Sequence, residues 1–186
     1  MNVGKIFENN FRESVKGAKN GEVFIYRIKD TDSSYHHTET SKYTSKNICD
    51  FFMYYDGILY ALELKSTAYN SFTFELDKNK PRKMIDVYQI DKLSEISRFR
   101  GVMPGFLFNF RNEEKGEEDT YFMRIEDFNT FVQNNTKKSI NKSDIVVYGG
   151  IPVVSIKKRK YFTYDIDKML DDIRAEFLEK ECEGNG

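Results

Sequence analysis

Asp50, Glu63 and Lys65 interrupt an otherwise apolar, aromatic stretch, NICDFFMYYDGILYALELKST at positions 47 to 67. Asp56-Gly57 within it is a favoured two-residue hairpin turn, because both positions accept positive φ. A turn there opposes residues whose numbers sum to 113, which predicts Asp50 opposite Glu63. Period-two alternation places Glu63 and Lys65 on one face and Leu62 and Leu64 on the other. Like charges opposed across a ladder are destabilising, and a bound cation reverses that sign. Hard ions such as Mg²⁺ take oxygen ligands, commonly one or two carboxylates completed by water and substrate phosphate. The backbone carbonyl of Leu64 offers a further oxygen. Lys65 beside such an ion would orient or deprotonate a water, or hold a scissile phosphate. Those are the parts that phosphodiester hydrolysis needs. The competing reading is a half-solvated hairpin face on which Lys65 merely neutralises the two acids.

The surrounding elements must position this group. Val3, Phe7, Phe11 and Val15 recur every four residues, predicting an amphipathic helix over about 2–17 that Asn20-Gly21 ends. Glu8 lies at the edge of its buried face, a solvated side chain unless that helix reaches the hairpin. GEVFIYRI (21–28) reads as a strand, and 30–47 as a polar loop. PRKMIDVYQIDKLSEISRFR predicts a helix with Pro81 near its start and Gly101 after its end. Gln89 interrupts the apolar side formed there by Ile85, Leu93 and Ile96. It either points into the site to hold water or phosphate, or is a core amide bonded to backbone. GFLFNF (105–110) suits a buried strand, and TYFMRI (120–125) a further strand after an acidic loop. EDFNTFVQNN reads as a short helix, IPVVSI and YFTY as extended segments, and 165–183 as a charged C-terminal helix. This order predicts an α/β fold with a mixed central β-sheet flanked by helices.

Composition narrows the class. At 186 residues a single domain is expected, and 32% charged residues with no long apolar run argue against a membrane protein. The first residues have no signal-peptide pattern, and Cys49 and Cys182 form no C-x-x-C spacing; both point to the cytoplasm. Net charge is −1, but 165–183 holds eight acids against three bases, or −5, which leaves +4 for the rest. A basic face is therefore available. Lys157, Lys158, Arg159 and Lys160, followed by Tyr161, form a cluster suited to DNA phosphate with an aromatic for stacking, or else a plain solvated surface. Lys137 and Lys138 form a weaker patch. His36-His37 reads as ordinary loop, and no P-loop or nucleophile elbow is present, so no nucleotide cofactor is expected.

Asp50 followed by Glu63-x-Lys65 matches the D-(x)n-E-x-K core of the PD-(D/E)xK nuclease superfamily. The text around it is more particular: G-K-I-F-E at Gly4 to Glu8, C-D-F-F, G-I-L-Y-A-L-E-L-K-S-T, S-F-T-F, Y-Q-I-D at Tyr88 to Asp91, G-F-L-F-N-F, and K-K-S-I at Lys137 to Ile140. In this order and spacing these segments resemble the RecU-type Holliday junction resolvases of Gram-positive bacteria and their phages, over roughly residues 4 to 160. The resemblance implies a restriction-endonuclease-like fold, with 1–186 as one nuclease domain. It also implies a homodimeric, Mg²⁺- or Mn²⁺-dependent endodeoxyribonuclease that resolves four-way DNA junctions in recombination by paired nicks. On it, Asp50 and Glu63 are the metal-binding acids, Lys65 the catalytic lysine, Glu8 the acid of the first helix and Gln89 the glutamine after the hairpin. Ser66 and Thr67 would touch backbone phosphate, and Lys46, Lys137, Lys138 and the 157–160 cluster would complete the DNA-binding set. The interval 30–46, which matches that family's basic stalk, is shortened and poor in cations. A less selective branched-DNA or restriction-like endonuclease is therefore the alternative, with a non-catalytic DNA-binding accessory protein as a third reading.

Overall fold

The computed structural model describes residues 3–29 and 47–183; the expected loop at 30–46, with His36, His37 and Lys46, lies outside the described residues. In chain order the elements are α1 (Val3–Val15), β1 (Phe24–Arg27), β2 (Phe51–Tyr55), β3 (Ile58–Thr67), β4 (Ser71–Thr73), α2 (Val87–Ile96), β5 (Val102–Asn112) and β6 (Glu117–Arg124). There follow α3 (Ile125–Asn134), β7 (Ser139–Asn141), α4 (Lys142–Val147), β8 (Ile151–Val153), β9 (Ser155–Lys157), β10 (Phe162–Tyr164) and α5 (Ile166–Glu183). Six strands form the central sheet in the order β1-β2-β3-β5-β6-β8. Only β3 and β5 run parallel within it, so the sheet is mixed, as the α/β reading requires.

Helices cover both faces. On one, Phe7, Phe11 and Val15 of α1 and Met169, Leu170 and Ile173 of α5 pack with Leu62, Leu64 and Leu107. On the other, Ile90 and Leu93 of α2 and Phe128 and Phe131 of α3 pack with Ala61, Phe106 and Phe108. Phe11 is fully buried, and its truncation to Ala is expected to cost about 3–5 kcal/mol. The chain leaves α1 through Lys19, Asn20 and Gly21, all at positive φ, which accounts for the break expected at Asn20-Gly21.

The β2–β3 hairpin turns at Asp56 (φ 49°) and Gly57 (φ 82°), the doubly positive pair that matches strand twist. Two expectations are corrected next. The second helix starts at Val87 and not near Pro81, because Asp86 caps it and Ile85 is drawn into a bridge with Phe74, donating its N–H to Thr73 O at 3.0 Å. The acidic stretch before residue 120 is not a loop throughout: β6 begins at Glu117, and its Glu118 stands in register with Arg111 of β5. Among the described residues, no helix is long and apolar enough to cross a membrane.

Candidate active site

The site forms where the ladder between β2 and β3 opens. Phe51 pairs with Leu62, so the sum of 113 holds along β2, but the pairing stops there. Asp50 does not continue it opposite Glu63. Its N–H donates instead to Leu62 O at 3.0 Å, the carbonyl of the residue already facing Phe51, so two residues of one strand oppose one of the other, as in a β-bulge. Bulges re-aim side chains, and here the Asp50 carboxylate takes over the partner role that β2 has vacated. Its Oδ2 accepts the N–H of Leu64 at 2.8 Å. Backbone groups of alternate β3 residues face β2, so the Leu64 carbonyl is turned to the same side as that carboxylate.

Glu63 and Lys65 do share the α2 face, away from Leu62 and Leu64. Glu63 is buried, and Lys65 Nζ lies 2.9 Å from its Oε1. The Gln89 amide donates to that same oxygen. Gln89 is itself fixed, because its Oε1 accepts the Asp86 N–H at 3.0 Å while the Asp86 carboxylate accepts the Tyr88 N–H, a reciprocal cap at the start of α2. The helix terminus thus aims the amide at Glu63 on β3. Glu8 reaches the same end of the sheet from α1, where its carboxylate accepts Arg27 Nε at 2.9 Å.

Electrostatics follow from burial. Desolvation pushes the Asp50 carboxyl up to about 7, with the Glu63 charge as the second cause; the Leu64 N–H and Lys65 oppose the rise, and Glu8 adds slightly to it. Two carboxylates held together out of water make a donor set that a hard cation would relieve. Among the described residues, no group of three or more His, Cys, Asp or Glu comes close enough to hold a metal through side chains alone. An ion here would therefore complete its shell with the Leu64 carbonyl, water and substrate oxygens, which is the habit of Mg²⁺.

The remaining predicted residues separate. Ser66 lies on the α1 face, donating to Asn109 Oδ1 at 2.7 Å and accepting Arg111 Nε at 3.1 Å. Thr67 is buried and accepts the Tyr69 N–H at 3.0 Å, so it shapes a turn and does not present its hydroxyl to phosphate. The exposed turn at 157–160 borders a cleft of about 310 Å³ that reaches Asn109 and Arg111, which brings it to the sheet end that holds Ser66. Lys137 and Lys138 are paired instead with Asp144 (2.6 Å) and Glu75 (3.6 Å), beside the small β4–β7 sheet.

Sequence reasoning missed three features. KNKPRK, with Lys78, Lys80, Arg82 and Lys83, leads into α2 and lines a cavity with Asp86 and Tyr88; the charge count that found 157–160 would have found it. Arg111 and Arg27 had no such signal, because each acts through a partner distant in the chain.

The fold and site together define a mixed α/β domain with a buried carboxylate–lysine–amide cluster at the opening of its central hairpin. No family model matches the chain. It is 33% identical over 183 residues to the SPbeta prophage-derived uncharacterized protein YotM of Bacillus subtilis (strain 168), covering 92% of this chain and 87% of that protein. The chain belongs to the YotM family. Among solved structures, Archaeoglobus fulgidus Hjc, a Holliday junction resolvase from an archaeal hyperthermophile, aligns at 12% identity with a TM-score of 0.48 over 80% of this chain and 93% of that one.

Proposed function

We propose that this protein is a divalent-metal-dependent DNA endonuclease of the PD-(D/E)xK type that nicks four-way junctions. The observation that carries the reading is the gathering of the part-buried Asp50, the buried Glu63 and Lys65, whose Nζ lies 2.9 Å from Glu63, where β2 releases β3. Asp50, Glu63 and the Leu64 carbonyl are the groups that would hold Mg²⁺ or Mn²⁺, and such an ion polarises phosphate oxygens and acidifies water. Lys65 is paired with Glu63, and its ammonium would be the group placed to clamp the scissile phosphate or orient the attacking water. Gln89 holds Glu63 in one orientation throughout. The exposed 157–160 turn supplies phosphate contacts on the other face of the same sheet end.

Paired nicking calls for two such sites, hence a homodimer. Phe24 and Tyr26 on the edge strand β1, with Tyr54 beside them on β2, stand exposed on one face, and a second copy seated there would cover them.

The direct experiment is incubation of the purified protein with an end-labelled four-way junction and Mg²⁺. Symmetrical nicks by the wild type and none by Asp50→Asn are expected; equal nicking by both would reject the mechanism. A less selective endonuclease with the same site is the second reading, favoured by the shortness of the 30–46 interval. Equal cleavage of junction, flap and linear duplex would select it.

A further inference from the structure

Beyond Thr67 the catalytic strand turns outward into a feature that the cleavage chemistry does not use. The Thr67 hydroxyl accepts the Tyr69 N–H at 3.0 Å, a side-chain-to-backbone turn that fixes the loop after β3 and leaves Tyr69 77% exposed. Tyr69 does not stand alone. It borders a cleft of about 380 Å³ with Asn70, Phe110, Arg111, Asn112 and Lys142, at the lower end of the size range of ligand pockets. Phe110 belongs to the α2-face cluster and Arg111 bonds Ser66 on the α1 face, so the cleft opens at the end of the sheet toward which β3 runs after Lys65.

The lining narrows the ligand. Arg111 and Lys142 are offset by Glu113 and Glu114 along the same wall; Arg111 is ion-paired with Glu113, and Lys142 with Asp119 just beyond. A charge-balanced cleft has little to offer a bare phosphate or a continuous duplex backbone. It does offer the exposed ring of Tyr69 and the amides of Asn70 and Asn112, over a floor that includes the buried Phe110, with Lys142 Nζ 5.4 Å from its centroid. An aromatic platform with hydrogen-bonding groups is what a nucleobase takes, since every base has a stacking face and polar edges. Tyr69 lies four positions beyond Lys65, at most about 14 Å of chain, or roughly four stacked nucleotides. A base held here therefore lies within a few nucleotides of the position being cut.

We infer that this cleft captures an unpaired nucleobase, stacked on Tyr69, from the branch of the DNA substrate. It rests on the nuclease reading and deepens it, because in an unbroken duplex every base is already stacked and must be extruded at a cost, whereas a branch supplies one more cheaply. Selectivity for branched DNA then resides partly in the loop after β3.

The test uses the full chain and a four-way junction carrying 5-iododeoxyuridine at the branch, with Ca²⁺ replacing Mg²⁺ so that binding is read apart from cleavage. Irradiation is expected to cross-link the branch base to Tyr69, located by peptide mass spectrometry, and a linear duplex of the same sequence is expected not to. Tyr69→Ala is expected to lower the ratio of junction to duplex affinity on the order of tenfold, and Tyr69→Phe to preserve it. Being exposed, Tyr69 can be changed without disturbing the core. A cross-link mapped elsewhere, or an unchanged ratio in Tyr69→Ala, overturns the inference even if junctions are nicked. Conversely, the Tyr69 cross-link in a wild type that nicks nothing in Mg²⁺ upholds base capture and rejects the nuclease reading.

Discussion

Two charged regions of this chain, the β2–β3 opening and the β9–β10 turn, have opposite surroundings. At the opening, Glu63 is buried, Lys65 is mostly buried and bonded to it, and Asp50 is part-buried with its carboxylate accepting the Leu64 N–H. At the turn, Lys157, Lys158, Arg159 and Lys160 all stand exposed. Charges kept in water attract phosphate at a distance and are screened by salt; charges withdrawn from water interact strongly with whatever enters. The same residue types thus divide into a group that can perform chemistry and a group that can only steer.

The sharpest way to break that division is to neutralise the buried acids. Asp50→Asn or Glu63→Gln is expected to lower junction nicking by at least about 10²–10³-fold, read as single-turnover rates, with binding in Ca²⁺ retained. Comparable nicking would show that the buried charges are structural. Gln89→Leu probes the support behind them: nicking should fall roughly 10–100-fold through weaker metal binding, as a shift in the Mg²⁺ dependence.

Stability gives a third, smaller contrast. The Asp50 carboxyl is raised to about 7 in the native state, chiefly by burial, against about 3.9 in the unfolded chain. Between those values the folded protein binds more protons, so metal-free stability falls as pH rises from about 4 to 7 and is flat above. Asp50→Asn is therefore expected to be the more stable of the two without metal, by on the order of 4 kcal/mol at pH 8 and by little at pH 4, in urea melts. A mutant less stable than wild type at pH 8 would contradict this. At the exposed turn, Arg159→Ala is expected to weaken DNA binding modestly for every sequence and to reduce the salt slope of log K by about 1. An unchanged slope would remove that turn from the DNA surface.

How legible these regions were in the sequence depended on the range of the forces involved. The hairpin, its turn and the shared face of Glu63 and Lys65 are local consequences of Asp56-Gly57 and of alternation, and they could be counted. The bulge at Asp50 could not, because it arises where strands on both sides hold the backbone of Asp50, its carbonyl accepting the Ile28 N–H and its N–H donating to Leu62 O. Nor could the late start of α2, where a β-type bridge from Phe74 to Ile85 overrides the helical pattern. β5 continues past GFLFNF into Arg111 and Asn112 because β6 answers those residues with Glu118 and Glu117, a long-range compensation that no local window contains. Gln89 read equally well as core or site from its spacing, and its reciprocal cap with Asp86 shows why one amide serves both the helix end and Glu63.

All of this turns on whether the desolvated acids form a cation site. The most direct measurement is a crystal structure with Mn²⁺, using anomalous scattering to locate the ion. A Mn²⁺ peak bonded to Asp50, Glu63 and the Leu64 carbonyl, with Lys65 moved off Glu63, is the predicted result. Mn²⁺ bound elsewhere, with the Lys65–Glu63 pair intact, would contradict it.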